Sequence, residues 1–248
     1  MNGNPSFLIG PENRKIAYRK LNWGSPTVVF CGGYMSDMEG TKALFLEESC
    51  KELGLSYVRF DYSGHGNSSE KFEDGTIGKW RDDALSVIDQ VTEGPLIIIG
   101  SSMGGWIGLL VSLSRKDRVK AFIGIAAAPD FTRELMWESY SDTIKETLKR
   151  DGIYLGPSEY SDEPYKVSYG LIQEGDDHLL LNKAIELDCP VRLFHGLKDN
   201  DVPSEFSMRI AEKLKSDDVI ISFSKSGDHR LSTPADLSRL KQALNEFC

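Results

Sequence analysis

The stretch Leu96–Leu110, "LIIIGSSMGGWIGLL", decides how the chain reads. Its opening run of Leu and Ile has strand length, and its closing apolar run suits a buried helix. Between them lie glycines and two adjacent serines. Gly100-Ser101-Ser102-Met103-Gly104 has the form G-x-S-x-G. Between a strand and a helix, that pattern makes a turn so sharp that its central serine stands above the end of the sheet. The flanking positions must be glycine, because a Cβ there would meet neighbouring backbone. The spacing selects Ser102 as the nucleophile, and Ser101 fills a variable position. The Ser102 hydroxyl is expected at a helix N-terminus, where unpaired N–H groups and the helix dipole favour developing negative charge.

Outward from this point, short β-rich runs alternate with helical patterns. Strands are expected over 15–22, 27–33, 56–64, 96–100, 119–129, 189–196 and 218–225, and helices over 41–54, 78–94, 104–116, 203–216 and 233–247. The run over 119–129 is almost continuously apolar, as befits a strand covered on both faces. The order implies about eight strands, the first two adjacent and the rest separated by helices. Right-handed crossovers then build an α/β fold, a mostly parallel sheet with helices on both faces. The segment 131–187 breaks the rhythm: it lacks strand runs and is rich in charge, Tyr and Gly. Met136, Trp137, Tyr140, Ile144 and Leu148 recur in it at helical spacing. It reads as a helical lid inserted into a core made of residues 1–130 and 188–248. Trp106, Phe131, Trp137 and Tyr140 are expected in core or lid packing.

A nucleophilic serine needs a base and an acid that orients the base. On a strand–elbow–helix scaffold the chain order is Ser, then Asp or Glu, then His. Of the 4 histidines, His65 precedes Ser102 and His178 lies in the insertion. His195 precedes its candidate acids. His229, in "SKSGDHRLS" after the last strand, satisfies the order. The acid belongs in the loop after "LFHG", where Asp199 is favoured; Asp201, closer to the next helix and able to cap it, remains the alternative. Asp228, beside His229 in the chain, is expected to point elsewhere. The oxyanion needs two backbone donors: Met103 N–H at the elbow, and Tyr34 N–H from "CGGYMSD", where Gly32 and Gly33 allow close approach.

Composition narrows the partners. The 248 residues carry a formal net charge of −9, against a nucleic-acid or anionic-membrane surface. No apolar run approaches the roughly 20 residues of a membrane span. "GHGNSS" (64–69) lacks the third glycine of a dinucleotide fingerprint, and no P-loop or metal-ligand spacing is present. No cofactor or metal is expected. The 4 cysteines have no CxxC pattern and read as buried or reduced thiols. "MNGNPSFLIG" lacks the basic and apolar regions of a secretory signal, so a cytoplasmic location is expected and the sequon at Asn67 reads as incidental.

These residues resemble the α/β-hydrolase superfamily over essentially the whole chain. "FDYSGHGNS" is similar to its F-D-x-x-G-x-G-x-S loop, and "HGLKDNDVP" to its H-G-x-x-D-x-x-V-P motif, whose acid falls on Asp199. Within the superfamily, "GGYMSDMEGTKA", "RFDYSGHGNSS", "GSSMGGW" and "DHRLS" look most like the abhydrolase-domain acyl-glucuronide esterase and palmitoyl-protein thioesterase group and its bacterial relatives. Gly32 departs from the histidine that many hydrolases carry there, which leaves the N–H donor intact. The resemblance implies hydrolysis of a small-molecule acyl ester or thioester through a Ser102–His229–Asp199 triad. A serine peptidase on the same machinery and a non-catalytic binding protein of the same fold are the competing readings. An Asp-nucleophile chemistry, dehalogenation or epoxide opening, is disfavoured by serine at 102.

Overall fold

The computed structural model of the chain describes residues 4–157 and 164–248. Strands β1 (Ser6–Ile9), β2 (Lys15–Leu21), β3 (Thr27–Cys31), β4 (Ser56–Phe60), β5 (Leu96–Ser101), β6 (Val119–Ile125), β9 (Val191–Gly196) and β10 (Val219–Ser224) form one sheet, in the order β1-β2-β4-β3-β5-β6-β9-β10. The pairs β1–β2 and β2–β4 are antiparallel and the other five are parallel. Strands β3, β5 and β6 are largely apolar and buried, because helices cover both of their faces. Alternation along each strand divides the core in two. Val28, Phe30, Ile97 and Ile99 pack toward α1 (Thr41–Leu53) and α7 (Pro234–Asn245), against Leu46, Leu240 and Leu244. Val29, Ile98 and Phe122 pack on the other face with Trp80, Ile107 and Phe206, carried by α2 (Ile77–Val91), α3 (Met103–Ser114) and α6 (Glu205–Lys213).

Three expectations change. The strands over 15–22 and 27–33 are neighbours in the chain but not in the sheet, since β4 lies between β2 and β3. Strand β1 escaped the periodicity reading because it is 4 residues long and buries only Leu8. The insertion is not wholly helical. It holds a π-helical turn (Thr132–Trp137), α4 (Asp142–Asp151) and α5 (Tyr169–Gly175), but also an antiparallel pair, β7 (Ile153–Gly156) and β8 (Tyr165–Ser168). Residues 158–163 of that segment lie outside the described residues. The long helix expected after Phe131 divides at Ser141, whose side chain accepts from Ile144 N and caps α4. Likewise Ser168 caps α5 by accepting from Leu171 N, so the chain before it is free to be strand.

The insertion is tied to the core at its base. Buried Asp130 holds both ends, accepting from Leu180 N and Leu181 N at 2.8 Å each. Glu134 pairs with Arg209 of α6, and Glu174 accepts from Gly78 N at the start of α2.

Helix α3 can start where it does only because Gly104 has no side chain. A Cβ there would lie 2.1 Å from Cys31 O and 2.4 Å from Gly32 O, both rigid backbone. Gly104→Ala is therefore expected to cost about 1–3 kcal/mol through overpacking. That appears as a fall in Tm of about 4–8 °C for a ~2 kcal/mol loss in a domain of this size. An unchanged Tm in thermal unfolding would contradict the close approach.

Candidate active site

Ser102 joins β5 to α3 with φ 56° and ψ −122°, a strained conformation for a residue bearing a side chain. The strain is held from several directions. Ser102 N donates to Ile125 O at 2.9 Å, and Ser102 O accepts from Gly105 N and Ala128 N at 2.8 and 3.1 Å. Gly100 is required on the strand side, where a Cβ would lie 2.2 Å from Gly104 O. The result aims the Ser102 hydroxyl off the C-terminal end of the sheet.

The loops after β9 and β10 meet it there. His229 Nε2 lies 3.0 Å from Ser102 Oγ, and His229 Nδ1 lies 2.8 Å from Asp199 Oδ2. A carboxylate on the Nδ1 side fixes the tautomer: Nδ1–H donates to Asp199, and Nε2 accepts from the Ser102 hydroxyl. Asp199 is fixed in turn, its Oδ1 accepting from Asp201 N and Val202 N at 2.9 Å each. Burial would raise the Asp199 carboxyl, but hydrogen bonds from His195, His229 and Val202 N outweigh it and hold the group below the ordinary carboxylate range.

Asp201 is not the acid at His229 Nδ1, where Asp199 lies at 2.8 Å. Nor does it cap α6, whose N-cap is Ser204. Asp228 turns back on its own loop and accepts from Leu231 N at 3.0 Å. His178 pairs with Glu174 at 2.7 Å inside the insertion. His65 is buried among Tyr62, Phe72 and Trp80, where desolvation pushes its imidazole down to about 4 and keeps it neutral.

His195 has a part that the motif reading missed. It is wholly buried, accepts from Ser207 Oγ at Nδ1 (2.7 Å), and directs Nε2–H to Val202 O at 2.9 Å. The same nitrogen lies 3.3 Å from Asp199 Oδ2. It braces the loop that carries the acid, and the only signal in the sequence is its place four residues before Asp199 in "HGLKDND".

Met103 is the first residue of α3, where backbone N–H groups have no intrahelical acceptor. Tyr34 follows Gly33, whose ideal Cβ position is 3.5 Å from Ser102 Cβ, so this loop abuts the serine. Tyr34, Met103, Ser102 and His229 all line one cleft of about 810 Å³. Phe131, Leu135, Met136 and Tyr140 of the insertion give it an apolar side, and Ser36, Asp37, Lys42 and Arg230 a polar one. Lys42 Nζ donates to Arg230 O at 2.5 Å, and burial pushes its ammonium down to about 8. Asp199, Asp201 and His229 bring ligand-capable atoms within 4.8 Å of one another. That group is poorly suited to a cation, because both imidazole nitrogens are already engaged. Among the described residues, no helix is long and apolar enough to cross a membrane.

A family model described as "Serine aminopeptidase, S33" (Hydrolase_4) matches residues 25–150. The chain is 43% identical to the human "Palmitoyl-protein thioesterase ABHD10, mitochondrial" over 243 residues, covering 98% of this chain and 79% of that protein. Among solved structures, a putative hydrolase from Agrobacterium vitis S4 superposes with a TM-score of 0.95 at 36% identity, covering 98% of each chain. Mouse alpha/beta hydrolase domain-containing protein 10 does so with 0.90 at 39% identity, again covering 98% of each chain. The chain belongs to the α/β-hydrolase superfamily. Its 43% identity to the thioesterase over nearly the whole chain makes it an ester or thioester hydrolase, and the non-catalytic reading is set aside.

The expectation of a cytoplasmic location is corrected, because the ABHD10 relatives from cattle, human and orangutan, at 42–43% identity, are mitochondrial. The physical reason is that receptors read a compartment address from short segments that need not belong to the folded domain. Net charge and a core sequence carry no such address.

The depressed Asp199 carboxyl has a consequence for stability. Its folded value lies below the unfolded one, about 3.9. The charged form therefore contributes stability in full above the unfolded value, and that contribution is lost as pH falls through the folded one. Urea unfolding of the parent and Asp199→Asn across pH 3–7 should give a stability difference that is constant above about pH 5 and shrinks below about pH 4. A difference that grew on acidification would refute the depressed carboxyl.

Proposed function

We propose that this α/β-hydrolase cleaves carboxylic ester and thioester bonds through an acyl-enzyme on Ser102. The carrying observation is the unbroken line from Asp199 Oδ2 through His229 to Ser102 Oγ, with both contacts at 3.0 Å or less. Ser102 Oγ attacks the acyl carbon while His229 Nε2 takes its proton. The tetrahedral oxyanion is held by the N–H groups of Tyr34 and Met103. Asp199 keeps the imidazole in its working tautomer and stabilises the imidazolium. His229 then gives the proton to the departing oxygen or sulfur, which leaves as alcohol or thiol. A water, deprotonated by the same nitrogen, attacks the acyl-enzyme, and collapse of the second tetrahedral species frees the carboxylic acid and restores Ser102.

The apolar side of the cleft suits an acyl chain and the polar side a leaving group. The name of the human relative, a palmitoyl-protein thioesterase, supports the thioester reading. The described parts of the insertion, residues 131–157 and 164–187, serve as the lid over the acyl side. Its β8 strand rests on the loop of the oxyanion donor. Tyr34 Oη donates to Lys166 O at 2.5 Å, its ring packs 5.1 Å from that of Tyr165, and Lys166 pairs with Glu73 at 2.9 Å. An amide-cleaving reading draws support from the description of the matched family model. It predicts turnover of an aminopeptidase substrate faster than of an ester.

Ser102→Ala is expected to lower turnover of a short p-nitrophenyl ester by about 10⁴-fold or more, and Ser101→Ala by only a few-fold. Asp199→Asn should cost about 10³–10⁴-fold in kcat and Asp201→Asn little. A Ser102→Ala variant as active as the parent would overturn the reading. In the lid, Leu135→Trp should fill the apolar side, lowering kcat/KM for a long acyl chain about tenfold or more relative to a short one. Profiling acyl lengths in both variants and parent checks this; an unaltered length preference would remove Leu135 from the acyl site.

A further inference from the structure

The free edge of β10 has the marks of a surface built to meet its own copy. Among the described residues, β10 ends the sheet and pairs only with β9. Asp218 O accepts from Val191 N at 2.8 Å and Ser224 O from Leu197 N at 2.9 Å, so the even-numbered residues turn their backbone toward β9. Backbone groups alternate sides along a strand. Val219, Ile221 and Phe223 therefore turn theirs outward.

An exposed strand edge is a template for pairing, and chains protect it with proline, an internal lysine or a bulge. The opposite edge, β1, is protected: it is 4 residues long, with Pro5 and Pro11 close on either side. β10 has none of these devices. It reads "VIISFS", its register with β9 runs without a shift, and Ile220 and Phe223 are 50% and 42% exposed. Charge appears only at its flanks, as exposed Asp217 and Asp218 on one side and exposed Lys225 on the other, with Asp217 and Lys225 each four residues from Ile221.

We propose that two copies of the chain join their β10 strands antiparallel about a two-fold axis through Ile221, making one continuous sheet. In that register Ile221 faces its own counterpart, Val219 faces Phe223, and Asp217 of each copy faces Lys225 of the other. The outward-turned residues are then opposite one another, so the hydrogen-bond ladder closes without a gap. The charges select this register. With the axis at Ile220, Asp217 would face Phe223, and with the axis at Ser222 it would face Gly227. The interface is isologous, the closed arrangement commonest among homo-oligomers. It stands independently of the catalytic reading.

Sedimentation velocity of the full chain from 1 to 100 µM tests it. The expected species is twice the 27.7 kDa chain mass. Lys225→Asp sets two like-charged pairs across the axis and should weaken the dimer about tenfold or more. The double variant Asp217→Lys with Lys225→Asp reverses both partners and should recover the parent affinity within a few-fold. Ile221→Pro, which deletes the central N–H, should give a monomer. Turnover of a short p-nitrophenyl ester reports that each charge variant is folded. A chain still monomeric at 100 µM, a dimer indifferent to Lys225→Asp, or a charge-swapped variant that stays dissociated would each overturn the proposal.

Discussion

The strained backbone at Ser102 is the constraint on which the rest depends. A residue with a side chain sits at φ 56° because β5 must turn into α3 with no intervening loop. That turn demands close contacts on both sides: Gly100 against the backbone of Gly104, and Gly104 against Cys31 and Gly32. Such strain persists only where surrounding structure over-determines it. Here the surroundings are the parallel strands β3, β5 and β6, whose residues are all buried except Lys120. The double helical cover that makes those strands apolar also holds the serine in place. Fold stability and the aim of one hydroxyl thus share the same packing.

The second fixed point is Asp199. A carboxylate whose side chain is shut off from solvent is unfavourable unless its oxygens are met by donors. Here the donors are Asp201 N and Val202 N on one oxygen and two imidazoles on the other. Of the imidazoles, His195 is wholly buried and bonded on both nitrogens, so it holds the loop. His229 is bonded on one side to the carboxylate and on the other to Ser102, the arrangement on which the proposed proton transfer rests. Two histidines beside one acid therefore have separate tasks, set by what their second nitrogen meets.

Which parts of this were legible in the sequence follows from the range of the interactions involved. The elbow is local: five consecutive residues and their flanking runs dictate it, and Ser102 stands where the spacing put it. The order Ser, Asp, His restricted the partners because each comes from the end of a successive strand, and Asp199 and His229 lie in hydrogen-bond reach of that line. The α/β class was legible because alternation of short apolar runs with helical patterns leaves few topologies. What escaped was decided by distant contacts or by short polar groups. The place of β4 between β2 and β3 is a pairing choice that no single run encodes. The caps at Ser141 and Ser168 outcompete a helical apolar spacing by satisfying N–H groups locally. His195 was weighed as a base because its type and strand-end position suit one. Only the tertiary contacts to Ser207 and Val202 show that its nitrogens are occupied.

The insertion shows how such contacts couple the parts. Its base is held by a buried carboxylate, Asp130, and by the Glu134–Arg209 pair to α6, the helix that follows the acid loop. Its β8 strand instead meets the core through the Lys166–Glu73 pair and through the side chain of Tyr34, whose neighbour Gly33 adjoins Ser102. One residue thus presents its main chain to the reacting end of the cleft and its ring and hydroxyl to the segment over the acyl side. A displacement of β8 has to break that hydrogen bond and part the tilted Tyr34 and Tyr165 rings. The loop beside the serine would lose its brace in the same motion. Tyr34 therefore couples the position of β8 to the loop beside Ser102, and the Lys166–Glu73 pair holds the same strand through a side chain of its own.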